Sequence, residues 1–268
     1  MSDLDGTLLD DQKNFSSDAP ELIRKLRDAG HKFTIATSRS YSKIEGLIKA
    51  LGIDQPVVVN NGAFIVGVEA GCALSSYTIG ESMVENILGV ASKYEANPII
   101  FSRGLTEIVY VPRKPTREQQ FFIDERPNDP RFVVADNTVK SISGSVFSIC
   151  YHLRPEIAVE FLNLIERAAL SVSLNCTQET WNIVCIEISH NLANKGQALR
   201  WLSGFSGVPA GDFVAFGDND NDLSMFLAAG ECYAVGNATE NLKKISTKVI
   251  GYNNQHGVSA FLRQFVQE

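Results

Sequence analysis

Acidic residues cluster at two places in the chain where their spacing suits a metal ion and a phosphate group. The sequence DLDGT at 3–7 places two carboxylates two residues apart, followed by a glycine and a hydroxyl group. The sequence GDNDND at 217–222 directly follows an apolar run at 213–216. Mg²⁺ prefers a few carboxylates together with waters and phosphate oxygens. If the fold brings the two clusters together, they predict a Mg²⁺ site that also binds phosphate.

The second cluster could instead be a calcium-binding EF-hand loop. Asp218, Asp220 and Asp222 would then occupy the first, third and fifth loop positions. Such a loop also requires glycine at its sixth position and glutamate at its twelfth. The chain has Leu223 and Ala229 there, which excludes an EF-hand.

Two further segments carry groups that suit a phosphate. Thr37, Ser38 and Arg39 follow a predicted buried strand and offer hydroxyl groups and a positive charge. Lys195 opens a predicted helix, where free backbone N–H groups favour anions. Each segment is weak evidence alone, because most lysines are solvated on the surface and threonine often begins a helix.

The elements that would position these residues alternate between helix and strand at both ends of the chain. This rhythm predicts an α/β fold with a Rossmann-like, doubly wound parallel sheet, built from 1–79 and 189–268. Strands cluster with few helices in 80–188, which predicts an inserted α+β cap domain. The predicted helices are 18–29 behind a Ser17 N-cap, 40–51, 81–95, 155–169, 195–203, 223–229 and one from 257, and the predicted strands are 32–36, 56–60, 97–102, 106–112, 131–135, 144–152, 171–176, 183–188, 213–216 and 232–235.

Composition limits the class of protein. The 268 residues are 44% hydrophobic and carry a formal net charge of -7. This excludes a disordered chain or a fibre, and the acidic balance argues against a nucleic-acid partner. We expect no secretory leader, and no apolar run is long enough to span a membrane. We therefore expect a cytoplasmic monomer or small homo-oligomer without a membrane partner.

In combination, the motifs resemble the haloacid dehalogenase superfamily, and in particular its Cof-like branch of small-metabolite phosphatases with a large inserted cap. The similarity spans nearly the whole chain. The matching segments are DLDGTLLD at 3–10, Thr37 with Arg39, NNGA at 60–63, NKG at 194–196, GDNDND at 217–222, VGNA at 235–238 and HGV at 256–258.

The resemblance implies catalytic roles for the acidic residues and the lysine. Asp3 is expected to be the nucleophile and a Mg²⁺ ligand, and Asp5 the general acid/base whose backbone carbonyl also binds the metal. Asp218 is expected to bind Mg²⁺ directly. Asp222 is expected to support the metal site without binding the ion itself. Lys195 is expected to neutralise charge on the nucleophile and the phosphate. Crowding by carboxylates should raise the pKa of Asp5 and help it hold a proton.

The resemblance also implies a phosphate-binding set. Thr37 and the backbone N–H of Ser38 are expected to hold the transferring phosphoryl group, together with Arg39 and Asn221. The family usually has glycine at the position of Ser38. If this residue needed a positive φ, it would be strained, but we expect its amide contact to survive.

The nucleophile of this superfamily normally ends a central strand with five or six apolar residues before it, whereas only Met1 and Ser2 precede Asp3 here. Either the natural chain begins upstream, or the protein is short with a defective central strand. We favour the first interpretation, because Leu8 and Leu9 continue the family pattern. A chain extended upstream should then be more stable and more active.

Three functions remain open. The leading one is a Mg²⁺-dependent phosphatase that hydrolyses a small phosphorylated metabolite, such as a sugar phosphate, through an aspartyl-phosphate. A sugar-phosphate mutase shares these motifs but returns the phosphoryl group to a sugar hydroxyl. A non-catalytic phosphate-binding regulator is the third possibility, if the short first strand disables the site.

Overall fold

A computed structural model describes residues 1–94, 96–104, 106–135, 139–168, 172–179 and 183–266. The chain divides into two compact units, which we call the core unit (Met1–Ser76 with Ala193–Glu268) and the inserted unit (Tyr77–Leu192). In chain order the elements are α1 (Ala19–Asp28), α2 (Tyr41–Leu51), β1 (Val57–Val59), β2 (Phe64–Val66), β3 (Ala73–Ser76), α3 (Glu81–Ala91), β4 (Ile99–Arg103), β5 (Glu107–Pro112), α4 (Arg117–Asp124), β6 (Phe132–Ala135), β7 (Ser145–Leu153), α5 (Pro155–Ala168), β8 (Val172–Glu179), β9 (Ile183–His190), α6 (Lys195–Ser206), β10 (Val214–Gly217), α7 (Leu223–Phe226), β11 (Glu231–Ala234), α8 (Glu240–Ile245), β12 (Lys248–Val249) and α9 (Gly257–Leu262).

The core unit is organised around parallel strand pairing, which confirms the predicted fold class. β10 pairs with β11, and β11 with β12, both in parallel. Ser2 forms parallel bridges to Ile35 on one side and to Phe216 in β10 on the other, and Ala36 bridges in parallel to Val58 in β1. The strand predicted at 32–36 thus pairs with its neighbours only through single bridges at Ile35 and Ala36. Its pairing is short because few residues precede Asp3 on the adjacent segment.

Amphipathic helices cover this sheet because their apolar residues recur on one face. α1 buries Leu22, Ile23 and Leu26, whose spacing matches the helical repeat. The N-cap of α1 is Asp18 rather than the predicted Ser17, and its side chain makes no capping hydrogen bond. α2 begins at Tyr41, one residue after the predicted start, and ends at Leu51, as predicted, with Gly52 following it in the left-handed conformation.

The inserted unit contains a mixed sheet with α3 and α5 on one face and α4 on the other, which fits the predicted α+β character. Its strand order is β6-β5-β4-β7-β9-β8, and the predicted hairpin around Gly104 is the antiparallel pair β4–β5. Buried residues of α3 and α5, such as Ile87 and Phe161, pack with Ile149 and Tyr151 of β7 in one apolar cluster. Burial of this face stabilises the unit.

The structure contains elements that the sequence did not predict. α4 begins with a capping box in which Thr116 and Gln119 bond each other's backbone, a pattern readable in the sequence. β3 and β12 are short and largely exposed, so they lack the apolar pattern of a buried strand. None of the described helices combines the length and apolar character needed to cross a membrane.

Candidate active site

The site lies where the parallel strands of the core unit end. Asp3 follows Ser2, Thr37 follows Ala36, and Asp218 follows β10. The backbone N–H of Asp3 donates to the carbonyl of Phe216 at 2.9 Å. Carboxyl ends of parallel strands meet at one edge of a sheet, which is the usual ligand-binding edge in open α/β folds. The pairing therefore brings the two acidic clusters side by side.

Three carboxylates converge at this edge. Asp3, Asp218 and Asp222 each present an oxygen within 4.8 Å of the others. Thr7 donates its hydroxyl proton to Oδ1 of Asp218 at 2.8 Å. Gly6 has a φ of +76°, and a Cβ there would lie 2.5 Å from Oδ2 of Asp218. Glycine at this position therefore permits both the turn and the close approach of the two loops.

Lys195 lies among these carboxylates with 0% of its surface exposed. Its Nζ is 2.5 Å from Oδ1 of Asp3 and 2.6 Å from Oδ1 of Asp222. Burial alone would lower the pKa of Lys195, but the charges of Asp3 and Asp222 outweigh it, so the pKa is raised. Lys195 is therefore a buried ammonium group, and the interpretation as a solvated surface lysine is wrong.

Asp222 holds the second acidic loop in shape. Its Oδ2 accepts hydrogen bonds from the backbone N–H groups of Asp218 and Asn219, at 3.0 and 3.1 Å. Its Oδ1 accepts from Lys195. Both oxygens of Asp222 are thus engaged by the protein.

The charges of this cluster suit a divalent cation. Three carboxylates face one ammonium group, so two negative charges are uncompensated when all three carboxylates are ionised. Burial raises the pKa of Asp3, and the neighbouring Asp222 and Asp218 raise it further against the opposing charge of Lys195. Burial likewise raises the pKa of Asp218. Hard carboxylate oxygens are the donors that Mg²⁺ prefers, so the donor set fits this metal.

Asp5 has a different environment, which overturns one expectation. Arg39 donates from Nε to Oδ2 at 2.7 Å and from Nη2 to Oδ1 at 2.6 Å, and Nζ of Lys13 lies 2.9 Å from Oδ1. Burial acts to raise the pKa of Asp5, but these two cations outweigh it and the pKa is lowered. The expected rise through carboxylate crowding is wrong, because the neighbours of Asp5 are positive.

The contribution of Asp3 to the stability of the metal-free protein is expected to fall from about pH 5 to about pH 8. Burial raises the pKa of Asp3 to about 8, against about 3.9 in an unfolded chain. The folded protein therefore keeps a proton that the unfolded chain loses, and this contribution disappears as the pH rises through the folded value. Asp5 stays ionised in both states over this range, because its pKa is lowered. The buried amino group of Met1 acts in the opposite direction, because burial lowers its pKa to about 5. The contribution of Asp3 is therefore measured as the difference between the wild type and Asp3→Asn.

Urea midpoints of the wild type and of Asp3→Asn in EDTA, at the two pH values, measure this effect. The midpoint of the wild type relative to that of Asp3→Asn should be higher at the lower pH, and added Mg²⁺ should stabilise the wild type most at the higher pH, where proton and metal no longer compete. A wild-type midpoint that rises with pH relative to that of Asp3→Asn would contradict the assignment of a buried, proton-retaining Asp3.

Thr37 and Ser38 lie at the same strand end. Thr37 is buried, and its hydroxyl oxygen accepts the backbone N–H of Arg39 at 3.1 Å. Ser38 is absent from the described residues with positive φ, so the strain considered for a serine at this position does not arise. Arg39 is turned towards Asp5.

A strained loop follows β1 beside these residues. Asn60, Asn61 and Gly62 have φ values of 50°, 54° and 96°, and a Cβ on Gly62 would lie 2.5 Å from the carbonyl oxygen of Asn194. Asn221, expected to bind phosphate, donates from Nδ2 to Oδ1 of Asn61 at 3.1 Å. The NNGA segment thus links the loop after β1 to the second acidic loop.

Several residues at the site have no role in the sequence-based hypothesis. Thr7 stands in the first acidic motif, so its bond to Asp218 could have been suspected from its position there. Lys13 returns to Asp5 through a tight turn, in which it has a φ of 66° and donates its backbone N–H to Asp10. Asn61 and Asn237 contact the site through bonds between distant segments. Both lie in segments that carry the family resemblance, NNGA and VGNA, but their partners could not be read from those motifs.

Known proteins resemble this chain over almost its whole length. A family model described as haloacid dehalogenase-like hydrolase matches residues 1–262. The 5-amino-6-(5-phospho-D-ribitylamino)uracil phosphatase YitU of Bacillus subtilis is 26% identical, over 98% of this chain and 95% of its own length. The pyridoxal phosphate phosphatase YbhA of Escherichia coli is 25% identical, over 97% of this chain and 95% of its own length.

Solved structures show the same similarity. TM0651 from Thermotoga maritima superposes with a TM-score of 0.79 at 26% identity, covering 98% of this chain and 95% of its own. BT1666 from Bacteroides thetaiotaomicron has a TM-score of 0.80 at 23% identity, covering 98% of this chain and 93% of its own. The latter comparison concerns the fold alone.

Proposed function

Because the chain belongs to the haloacid dehalogenase-like hydrolases, in their Cof-like branch, we propose that it is a Mg²⁺-dependent phosphatase with Asp3 as its nucleophile. Curated relatives of similar length are named as phosphatases, and the chain is a phosphoric monoester hydrolase. The observation that carries the proposal is the buried Lys195, which joins Asp3 to Asp222 beside Asp218.

Asp3 is proposed to attack phosphorus and form an aspartyl-phosphate, which divides one difficult displacement into two steps. In the first step, the bond between Asp3 and phosphorus forms while the bond to the leaving oxygen breaks. In the second step, water attacks phosphorus and restores the carboxylate. Lys195 holds one carboxylate oxygen of Asp3 in place and offsets the charge of the approaching phosphate.

Mg²⁺ is proposed to bind Asp3 and Asp218, with the backbone carbonyl of Asp5 as a further ligand. When bound, it supplies positive charge that offsets repulsion between the carboxylate and the phosphate. Thr7 keeps Oδ1 of Asp218 in a fixed direction, and Asp222 keeps the loop that carries Asp218 in shape.

The phosphoryl group is proposed to bind Thr37, the backbone N–H of Ser38, Arg39 and Asn221. Arg39 forms its bidentate pair with Asp5 in the substrate-free protein. A phosphate that takes over this guanidinium group would release an oxygen of Asp5, because both need the same donors. Asp5 would then be able to protonate the leaving oxygen and later accept a proton from water.

The proposed substrate class is a small phosphorylated metabolite, such as a sugar phosphate. The support is that curated relatives are named for small phosphorylated compounds, including pyridoxal phosphate. Residues 77–192 are proposed to serve as the cap domain that selects the substrate, as the resemblance implies.

A screen of phosphorylated metabolites tests this function by released phosphate. We expect turnover of some sugar phosphates or related monoesters in Mg²⁺ and its loss in EDTA. Release that is equal in both conditions would contradict the metal dependence. Isomerised sugar phosphate in the presence of a bisphosphate, without free phosphate, would support a mutase instead.

A further inference from the structure

One short turn, residues 237–239, bonds to both acidic loops of the site. Nδ2 of Asn237 donates to the carbonyl oxygen of Gly6 at 2.8 Å. The backbone N–H of Thr239 donates to the carbonyl oxygen of Asp218 at 2.8 Å. The turn therefore connects the loop that follows Asp3 to the loop that carries Asp218.

The orientation of the Asn237 amide is fixed by a second asparagine. Its Oδ1 accepts the backbone N–H of Asn253 at 3.1 Å, so its Nδ2 faces Gly6. Asn253 is only 3% exposed, and its own Nδ2 donates to the carbonyl of Leu9 at 3.2 Å. Since Leu9 donates its N–H to Leu4 at 2.9 Å, the first acidic loop is held at its base as well as at Gly6.

The segments that carry Asn237 and Asn253 pack closely against their neighbours. A Cβ on Gly236 would lie 2.7 Å from the ring of Tyr252, and a Cβ on Gly257 would collide with the carbonyl of Gly251. Such close backbone packing resists displacement. Asn237 therefore projects from a rigid support, although its own side chain is exposed.

We infer that Asn237 is a positioning residue for the metal site, acting through Gly6 and Thr7. This inference rests on the proposed Mg²⁺ site. By holding the Gly6 carbonyl, Asn237 keeps the following residue, Thr7, where its hydroxyl bonds Oδ1 of Asp218. Without that bond, the Asp218 carboxylate is free to rotate and must be ordered when the metal binds, which weakens binding.

Direct binding of Mn²⁺, followed by electron paramagnetic resonance without substrate, tests this role. We expect Asn237→Ala to bind Mn²⁺ roughly three- to ten-fold more weakly, the range for one lost hydrogen bond. Its thermal midpoint should stay close to that of the wild type, because the side chain is exposed. The isosteric Asn237→Asp should also bind more weakly, because an oxygen would face the Gly6 carbonyl.

The matched control is Asn254→Ala, which removes the side chain of the asparagine next to Asn253 in the chain. Asn254 exchanges two hydrogen bonds with Asp11, at 2.6 and 2.9 Å, so this variant should keep wild-type Mn²⁺ affinity. Wild-type affinity in Asn237→Ala, tighter binding in Asn237→Asp, or equal weakening in Asn254→Ala would each overturn the positioning role. A wild-type protein that binds no Mn²⁺ would overturn the proposed metal site as well.

Discussion

Replacement of Asp3 by asparagine is expected to lower the kcat for a generic aryl phosphate by roughly 10⁴-fold or more. An amide has nearly the same shape as a carboxylate but is a poor nucleophile. It also removes one of the negative oxygens available to a metal. The fold should survive, because Lys195 keeps its 2.6 Å bond to Asp222. Release of p-nitrophenol in Mg²⁺ measures the effect.

The control for this substitution is Asp54→Asn, which makes the same change at an exposed carboxylate outside the site. It should leave turnover unchanged. An Asp3→Asn variant with turnover close to wild type would remove Asp3 as the nucleophile. The phosphatase would then have to use another group or attack by water alone.

Replacement of Lys195 by methionine is expected to impair folding and turnover together. The methionine is similar in length but cannot neutralise the carboxylates of Asp3 and Asp222, which lie 2.5 and 2.6 Å from Nζ. Removal of one partner from a buried ion network costs about 3–5 kcal/mol of unfolding free energy, because the remaining charges stay desolvated. Turnover should also fall because phosphate loses a compensating charge.

Urea denaturation at neutral pH in EDTA measures the loss of stability. Mg²⁺ should restore more stability to Lys195→Met than to the wild type, because the cation offsets the charge of the buried, unpaired carboxylates. Lys49→Met is the matched control, since Lys49 is a surface residue paired with Glu45, and it should change the midpoint little. A wild-type urea midpoint for Lys195→Met would contradict the structural role of this buried ammonium group.

The sequence predicted the edge at which the site lies because strand ends can be recognised from short apolar runs. Thr37 and Asp218 each follow such a run, and parallel strands place their ends together. Only Met1 and Ser2 precede Asp3, so its place at this edge was implied by the family resemblance. The position of Lys195 at the start of a helix could be recognised from the sequence. Its burial could not be predicted, because a single lysine carries no hydrophobic pattern that marks it as buried. Only the surrounding carboxylates make its burial favourable.

The environment of Asp5 could not be read from the sequence. Asp3 and Asp5 are close in the chain, which favoured one shared acidic cluster, but successive loop residues point in different directions. Arg39 and the turn that ends in Lys13 reach Asp5 instead. Asn237 and Asn253 present the same problem, since their bonds to Gly6 and Leu9 join residues more than two hundred positions apart.

The most direct test of the central claim is to trap the phosphorylated protein during turnover. Acid quench of the wild type with a good substrate, followed by proteolysis and mass spectrometry, locates any phosphate on the chain. We predict phosphate on the peptide that contains Asp3 in the wild type, and none on that peptide in Asp3→Asn. Rapid turnover with no phosphate on this peptide, or phosphate on another residue, would contradict Asp3 as the nucleophile.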